Sequence, residues 1–412
     1  MFPIVYRGYS GIRKVTSERC PDPRISQQRI ILDSHITGET QLTNVDFVPS
    51  FCKKLKETVI YHNFSSLVSL ANDWLISHPC WEIINCETVT QYVHQVHDSV
   101  DYSAVINILR IWIKRRPNEP YLVSREPLLW YKDFAPDQRR FLEGRINGKI
   151  VQMETLKVPA TDDWTFKSEA TYCNDGRTTR DIERYQNYVI LIRVFYLAGP
   201  LFDHEVVLAD FVPFDLSSET FARRNGEKFS SMISRAALWL RENTELSLVN
   251  AQAVDIHVPD PDAETIETRI TWKRKERNDK EIRFLRIYCT KRNEVSKLFL
   301  NYESLSVSSL EYKLYLTAIA FNVKSFQQDV NEWFVDLAQR NNGIKPRIVN
   351  IETCVVPPFV NDQTGKSFQH AVDETHSCNQ MDGRFKYSFV TIRIYYDESG
   401  LETGDFQITR LP

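Results

Sequence analysis

Two periodicities alternate along this chain. Apolar residues recur at helical spacing in Phe64 to Leu75 (FSSLVSLANDWL) and in Phe229 to Leu240 (FSSMISRAALWL), at the Phe, Leu/Met, Val/Ile, Ala, Trp and Leu positions. A third stretch, Val323 to Phe334 (VKSFQQDVNEWF), fits the same frame more loosely. The pattern predicts three related helices in which Trp74, Trp239 and Trp333 occupy one position, each an apolar anchor pinning its helix to a sheet. Asn63 stands just ahead of the first helix and is expected to cap it, although Asn63-Phe64-Ser65 also spells a glycosylation sequon.

After each helix the period drops to two, and here four copies align. Ile84-Asn85-Cys86-Glu87-Thr88, Val151-Gln152-Met153-Glu154-Thr155, Val249-Asn250-Ala251-Gln252-Ala253 and Val349-Asn350-Ile351-Glu352-Thr353 predict four strands with one polar face. A second strand follows in each copy with Arg in a fixed place: Leu109-Arg110-Ile111-Trp112, Ile192-Arg193-Val194-Phe195, Leu285-Arg286-Ile287-Tyr288 and Ile392-Arg393-Ile394-Tyr395. Ahead of the helix, Val45-Asp46-Phe47-Val48-Pro49, Tyr131 to Pro136 and Ala209-Asp210-Phe211-Val212-Pro213 share an extended segment closed by Pro. The fourth copy is expected to place it at Leu298 to Val307, without the Pro.

These elements define a unit of leading strand, helix, strand, variable loop, strand. The fold class expected is α+β, with four divergent tandem repeats, each an antiparallel sheet with one packed helix. In the second repeat, Asp137 to Gly148 leave room for about two helical turns, so its helix is expected to be shortened or lost. The divisions are residues 41–120, 121–200, 201–296 and 297–412, preceded by an N-terminal segment 1–40 whose Ile4-Val5-Tyr6-Arg7 faintly resembles the Arg-bearing strand and is a candidate completing strand. The longest insertions, Thr155 to Asn187 and Val355 to Tyr387, separate the paired strands of repeats 2 and 4.

Composition narrows the classes of function. With 42% apolar and 12% aromatic residues among 412, the chain is core-forming. A formal charge of −3 argues against a surface for nucleic acid; Lys114-Arg115-Arg116 reads as a solvated strand end, and Lys273 to Arg277 is expected to pair by a hairpin with the acidic Asp260 to Glu267. No apolar run is long enough for a membrane span, no signal segment is evident, and the eight cysteines lack framework spacing, which points to the cytoplasm. No phosphate-cradling glycine loop or metalloprotease string is present, so no cofactor or metal is expected. His94 and His97, read as part of a solvated loop, and His376 with Cys378 beside Asp373 and Glu374, are weak catalytic candidates.

The shared polar positions are the informative ones. Paired antiparallel, Glu87 would face Arg110, Glu154 Arg193, Gln252 Arg286 and Glu352 Arg393. One reading makes these a ladder that fixes register, which tolerates Gln252 in place of a carboxylate. The other makes Asn85, Glu87, Arg110, Glu154, Arg193, Asn250, Gln252, Arg286, Asn350, Glu352 and Arg393 a repeated binding face for a peptide, glycan or partner loop. A duplicated framework with drifting loops favours a non-catalytic protein-binding or structural-assembly protein, with a protein partner or self-association through edge strands. The alternative is a small-molecule or glycan binder, a hydrolase among its options, with a site built by the insertions of repeats 2 and 4.

Overall fold

The computed structural model describes residues 30–31, 42–49, 51–55, 58–97, 100–115, 128–134, 146–160, 172–173, 187–202, 205–214, 227–258, 268, 272–274, 280–291, 310–316, 323–340, 346–356, 358–360, 367–372, 378–379 and 389–397. Their architecture is α+β and repetitive: four sheets, each built on three antiparallel strands, and three helices among the described residues. In every sheet the Arg-bearing strand is central, the leading strand lies on one side of it and the Asn-x-Glu strand on the other.

In unit 1 these are Leu42–Phe47 (leading), Val100–Arg115 (central) and Trp81–His97 (inner). Unit 2 uses Leu129–Phe134, Asn187–Phe202 and Ile146–Ala160. Unit 3 uses Val206–Phe211, Lys280–Lys291 and Leu246–Val258. In unit 4 the strands are Glu311–Leu316, Phe389–Asp397 and Arg347–Val356. The fourth leading strand therefore lies downstream of the expected Leu298 to Val307, which falls outside the described residues. The Asp-Phe marker of the other three copies is missing there, so the apolar pattern alone could not choose between two runs.

The helices follow from their spacing and caps. Helix Phe64–Ser77 buries Phe64, Leu67, Val68, Ala71 and Trp74, one stripe of the helix. Asn63 caps it, its Oδ1 accepting from the Ser66 N–H at 3.1 Å and from the Ser66 hydroxyl at 2.6 Å. Helix Phe229–Glu242 starts at Lys228, which offers no side-chain cap. Glu227 pins that start instead, accepting from the Phe214 N–H and from both Nε and Nη2 of Arg235. The third helix, Val323–Arg340, runs further than its apolar frame indicated. Of the three tryptophans only Trp74 is buried; Trp239 and Trp333 are half-buried and lie edge-on to Phe211 and Tyr396. The segment 135–145, where the shortened helix was expected, lies outside the described residues, as does Ile4 to Arg7. From the N-terminal segment, Ile30–Ile31 pair with the leading strand of unit 1.

The four sheets form a closed ring. Each inner strand lies against the inner strands of the units before and after it, and unit 4 closes onto unit 1. Cores are consequently shared. The helix of unit 1 packs with its own sheet and with Leu129, Tyr131 and Phe195 of unit 2. That of unit 3 packs with Leu310, Tyr312 and Tyr395 of unit 4. Helix Val323–Arg340 packs with Leu42 and Trp112 of unit 1. Between units 2 and 3 the sheets meet directly, with Ile150, Met153, Ile192 and Val194 against Tyr288, Val206, Leu208 and Val249. A ring of blades removes the long open edges that a row of separate sheets would expose.

The insertions tie the ring together a second time. Tyr172–Cys173 of unit 2 pair with Val105 and Ile106 in the central strand of unit 1. Trp272–Arg274 of unit 3 pair with the central strand of unit 2, which sets Arg274 opposite Asn187 and Lys273 opposite Tyr188; the acidic Asp260 to Glu267, with which a hairpin was expected, lies outside the described residues. Cys378–Asn379 of unit 4 pair with Glu281 and Ile282 of unit 3. Unit 1 breaks the pattern: its inner and central strands stay paired out to His97 and Val100, with only residues 98 and 99 between them. His94 and His97 are thus on a strand, not in a solvated loop; the run of β-branched and aromatic residues that carries them extends the hairpin.

Candidate functional site

All four inner strands carry a β-bulge at one place, at Ile84, Val151, Val249 and Val349, immediately before the Asn-x-Glu motif. A bulge re-aims the side chains that follow it. Beyond it the register is the one the sequence implied, with Glu87 opposite Arg110, Glu154 opposite Arg193, Gln252 opposite Arg286 and Glu352 opposite Arg393.

The polar atoms of these residues engage the next unit round the ring. Asn85 donates from Nδ2 to the Ile351 carbonyl at 2.7 Å, and Glu87 accepts from the Thr353 N–H at 2.7 Å and its hydroxyl at 2.6 Å. Asn350 donates to the Ala251 carbonyl at 2.6 Å, and Glu352 accepts from the Ala253 N–H at 3.0 Å. Asn250 pairs with both peptide groups of Met153, accepting from its N–H at 3.0 Å and donating to its carbonyl at 2.8 Å, while Gln252 accepts from the Thr155 N–H at 2.7 Å. Glu154 completes the circuit on Thr88, taking the N–H at 2.9 Å and the hydroxyl at 2.5 Å.

Each motif both reads and is read. Its first and third residues reach forward to a neighbour, except that Gln152 of unit 2 does not, and the other neighbour grips the backbone of its second and fourth residues in units 2, 3 and 4 and of the fourth alone, Thr88, in unit 1. A primary amide has the donor and acceptor of a peptide group, so the side chains act as a short mimic of strand pairing where two backbones do not pair. The same device recurs at the rim: Asn72 of the first helix exchanges both bonds with the peptide groups of Leu129, at 2.7 and 2.9 Å. Unit 2 is the weakest reader. Gln152 stands in the Asn position and its buried Oε1 has no hydrogen-bond partner.

Beneath this circuit lie the arginines, all four buried. Arg110, Arg193 and Arg286 each grip an aspartate of the leading strand through Nε and Nη2: Asp46 at 2.6 and 2.7 Å, Asp133 at 2.8 and 2.9 Å, Asp210 at 2.7 and 2.9 Å. Nη1 of each then donates to the threonine of the neighbouring motif, Thr353, Thr88 or Thr155. Arginine thereby joins its own leading strand to the next unit. The aspartates are the residues the sequence reading passed over as site members; the Asp-Phe pair repeated in three leading segments was their signal, and it was taken only as a strand marker.

Seam 3–4 departs from this. Leu314 stands opposite Arg393 where the others have Asp, and Ala253 replaces the threonine. Arg393 turns to Glu352 through Nη1 at 2.7 Å, and its Nε has no hydrogen-bond partner. Tyr395 adds a second donor to Glu352 at 2.8 Å, as Trp112 does for Glu87 at 2.9 Å and Tyr288 for Gln252 at 2.9 Å. An aromatic ring lies over each guanidinium, and for two of them it is the first residue of the preceding unit's helix: Phe64 lies 4.0 Å from that of Arg193 and Phe229 4.2 Å from that of Arg393.

Burial sets the protonation chemistry. It pushes the Glu154 carboxyl up to about 7, against the pull of Arg193 and the Thr88 hydrogen bonds. Glu87 is raised for the same reason, opposed by Arg110 and the bonds from Thr353 and Trp112. Cys86 is raised by burial with Glu154 and Glu87 adding to it, and Cys289 is raised to about 12 by burial, so neither thiol is primed as a nucleophile. Among the described residues no group of histidine, cysteine and carboxylates is placed to hold a metal ion, and no helix is long and apolar enough to cross a membrane. Compared with protein-family models, with curated proteins and with solved structures, the chain matches none.

Proposed function

We propose that the chain is a non-catalytic protein-binding or structural-assembly scaffold. The observation that carries this reading is that the residues repeated from unit to unit are bonded to neighbouring units: Asn85 and Glu87 to unit 4, Asn350 and Glu352 to unit 3, Asn250 and Gln252 to unit 2, Glu154 to unit 1. The partner they recognise is the chain itself, and what varies from unit to unit is the length and sequence of the connecting segments. A rigid ring with variable loops suits presentation of surfaces to other proteins. Glu87, Glu154 and the arginines are immobilised by two or more bonds each, which suits a frame better than a site that must rearrange with a substrate.

Light scattering across a concentration series, with and without reductant, tests the assembly form of the proposal. An oligomer that is stable or grows with concentration is the expected result. A mass fixed at 48.2 kDa at every concentration would overturn self-assembly.

A further inference from the structure

The outer part of sheet 2 differs from its counterparts in units 1 and 3 on the face that a helix covers there. Aligned on Asp46, Asp133 and Asp210, the leading strands place Thr43, Val45 and Phe47 in equivalence with Trp130, Lys132 and Phe134 and with Val207, Ala209 and Phe211. In unit 1 the three are buried, at 2, 0 and 1% exposure. In unit 3 they pack into the core of helix Phe229–Glu242. In unit 2 Phe134 is buried, but Trp130 is 51% exposed, Lys132 is exposed, and neighbouring Leu128 is 39% exposed. Unit 4 has polar residues, Glu311 and Lys313, at the two exposed positions. Unit 2 alone puts an indole there.

The side of the sheet is fixed by register. Trp130 lies opposite Tyr196, and Phe134 opposite Ile192. Phe134, Ile192 and Tyr196 belong to the cluster shared with Val206 and Leu208 of unit 3. Trp130 thus stands at the outer border of the contact between sheets 2 and 3, the seam at which no described helix packs, whereas a helix packs between units at each of the other three. The chain has little to put there. Its link from Phe134 to the next strand is residues 135–145, against 48–80 in unit 1 and 212–245 in unit 3. A 14-residue helix like that of unit 1 is about 21 Å long, and the link must also cross from one side of the central strand to the other.

We propose that this face of sheet 2 is a docking slot for an amphipathic helix presented by a partner protein, its apolar stripe on Trp130, Leu128 and Tyr196 and an acidic residue set against Lys132. The proposal rests on the protein-binding half of the function given above. The first two helices of this chain supply the occupant's chemistry: one face with apolar residues at the first, fourth, fifth, eighth and eleventh places, as in Phe64, Leu67, Val68, Ala71 and Trp74. Lys132 supplies its charge. The ammonium lies 5.3 Å from the Phe134 ring, on the rim of the apolar patch, where a carboxylate on a bound helix would reach it.

The test is a phage-displayed library of 14-residue peptides with apolar residues varied at those five places and all residues allowed between them, selected on the full chain. Enrichment of acidic amphipathic sequences is expected, with binding at least tenfold weaker to Trp130→Ala and to Lys132→Glu. Both positions are exposed, so both variants should keep the parent melting temperature, which separates lost binding from lost fold. No enrichment, or equal binding to Trp130→Ala, overturns the slot. So does a dimer that Trp130→Ala abolishes, since the occupant is then a second copy, or a gain of tenfold or more in peptide affinity when residues 137–143 are replaced by a Gly-Ser link, since the chain's own link is then the occupant. An oligomer in light scattering with no peptide enrichment would spare the assembly reading and remove this slot; a monomer with enrichment would do the reverse.

Discussion

Seam 1–2 and seam 3–4 hold one arginine each in the same place, by different means. Arg193 is gripped by Asp133, touches Thr88, and leaves Glu154 to that threonine. Arg393 faces Leu314 and a motif with Ala253, and takes Glu352 directly. The two losses fall in a single seam, and together they are consistent. Without the aspartate the arginine needs another carboxylate; without the threonine hydroxyl nothing stands between it and the glutamate. The lesson is that the ring constrains the charge balance around each buried guanidinium more tightly than it constrains the identity of any partner, because an uncompensated buried charge costs several kcal/mol.

The comparison breaks most strongly at the aspartate. Asp133→Ala leaves Arg193 buried with its fork empty and should cost roughly 3 to 5 kcal/mol, read as the shift of the urea midpoint at constant slope. Arg393 already lives without that carboxylate, so Leu314→Ala should cost well under half as much by the same measurement. Equal losses at the two sites would mean that the fork contributes only packing, and the contrast between the seams would disappear.

Protonation sharpens it next. The Glu154 carboxyl is raised from 4.5 to about 7 in the folded chain. Between those values the unfolded chain has released the proton that the folded chain keeps, so stability is fully present below about 4.5 and is lost as pH rises through about 7. The shift corresponds to at most roughly 3 kcal/mol. Glu154→Gln should remove that part of the pH dependence while preserving the acceptor for the Thr88 N–H, as Gln252 does for Thr155 in the neighbouring seam. Thermal melts at pH 5 and pH 8 on both proteins measure it: the parent should lose more stability than the variant, and parallel losses would place the titration elsewhere.

Much of this architecture is legible in the sequence, and the part that is not has a physical reason. The Asn-x-Glu strands and the Arg strands are visible because local alternation and β-branched composition act within a few residues. The cross-strand register of Glu87 on Arg110 follows from the same patterns. What the sequence does not display is which unit touches which. Thr353 reaches Glu87 across 266 positions, and nothing in either motif names its partner. The bulges at Ile84, Val151, Val249 and Val349 were hidden because an extra residue in a β-branched run leaves alternation nearly intact. Trp239 and Trp333 were overrated as anchors because helical phase gives the side of a helix and not how far a neighbouring sheet extends over it.

The amide positions give the finest comparison, since the four units grade from two bonds to none. Asn250 exchanges both bonds with Met153; Asn85 and Asn350 make one each and leave a buried Oδ1 without a partner; Gln152 has an unpartnered Oε1. A lost bond whose buried peptide partner is left unsatisfied costs about 1 to 3 kcal/mol, and a side chain that was not bonded costs little more than its packing. Alanine at Asn250 should therefore destabilise most, by roughly 2 to 3 kcal/mol; at Asn85 and Asn350 by about 1; and at Gln152 by less than about 0.5. The ordering is the test, because it compares one position in four copies and the unfolded-state contributions of the three Asn→Ala changes nearly cancel. If Gln152→Ala were as costly as Asn250→Ala, the amides would be fillers of a tight seam, and the ring would owe its closure to the carboxylates and arginines alone.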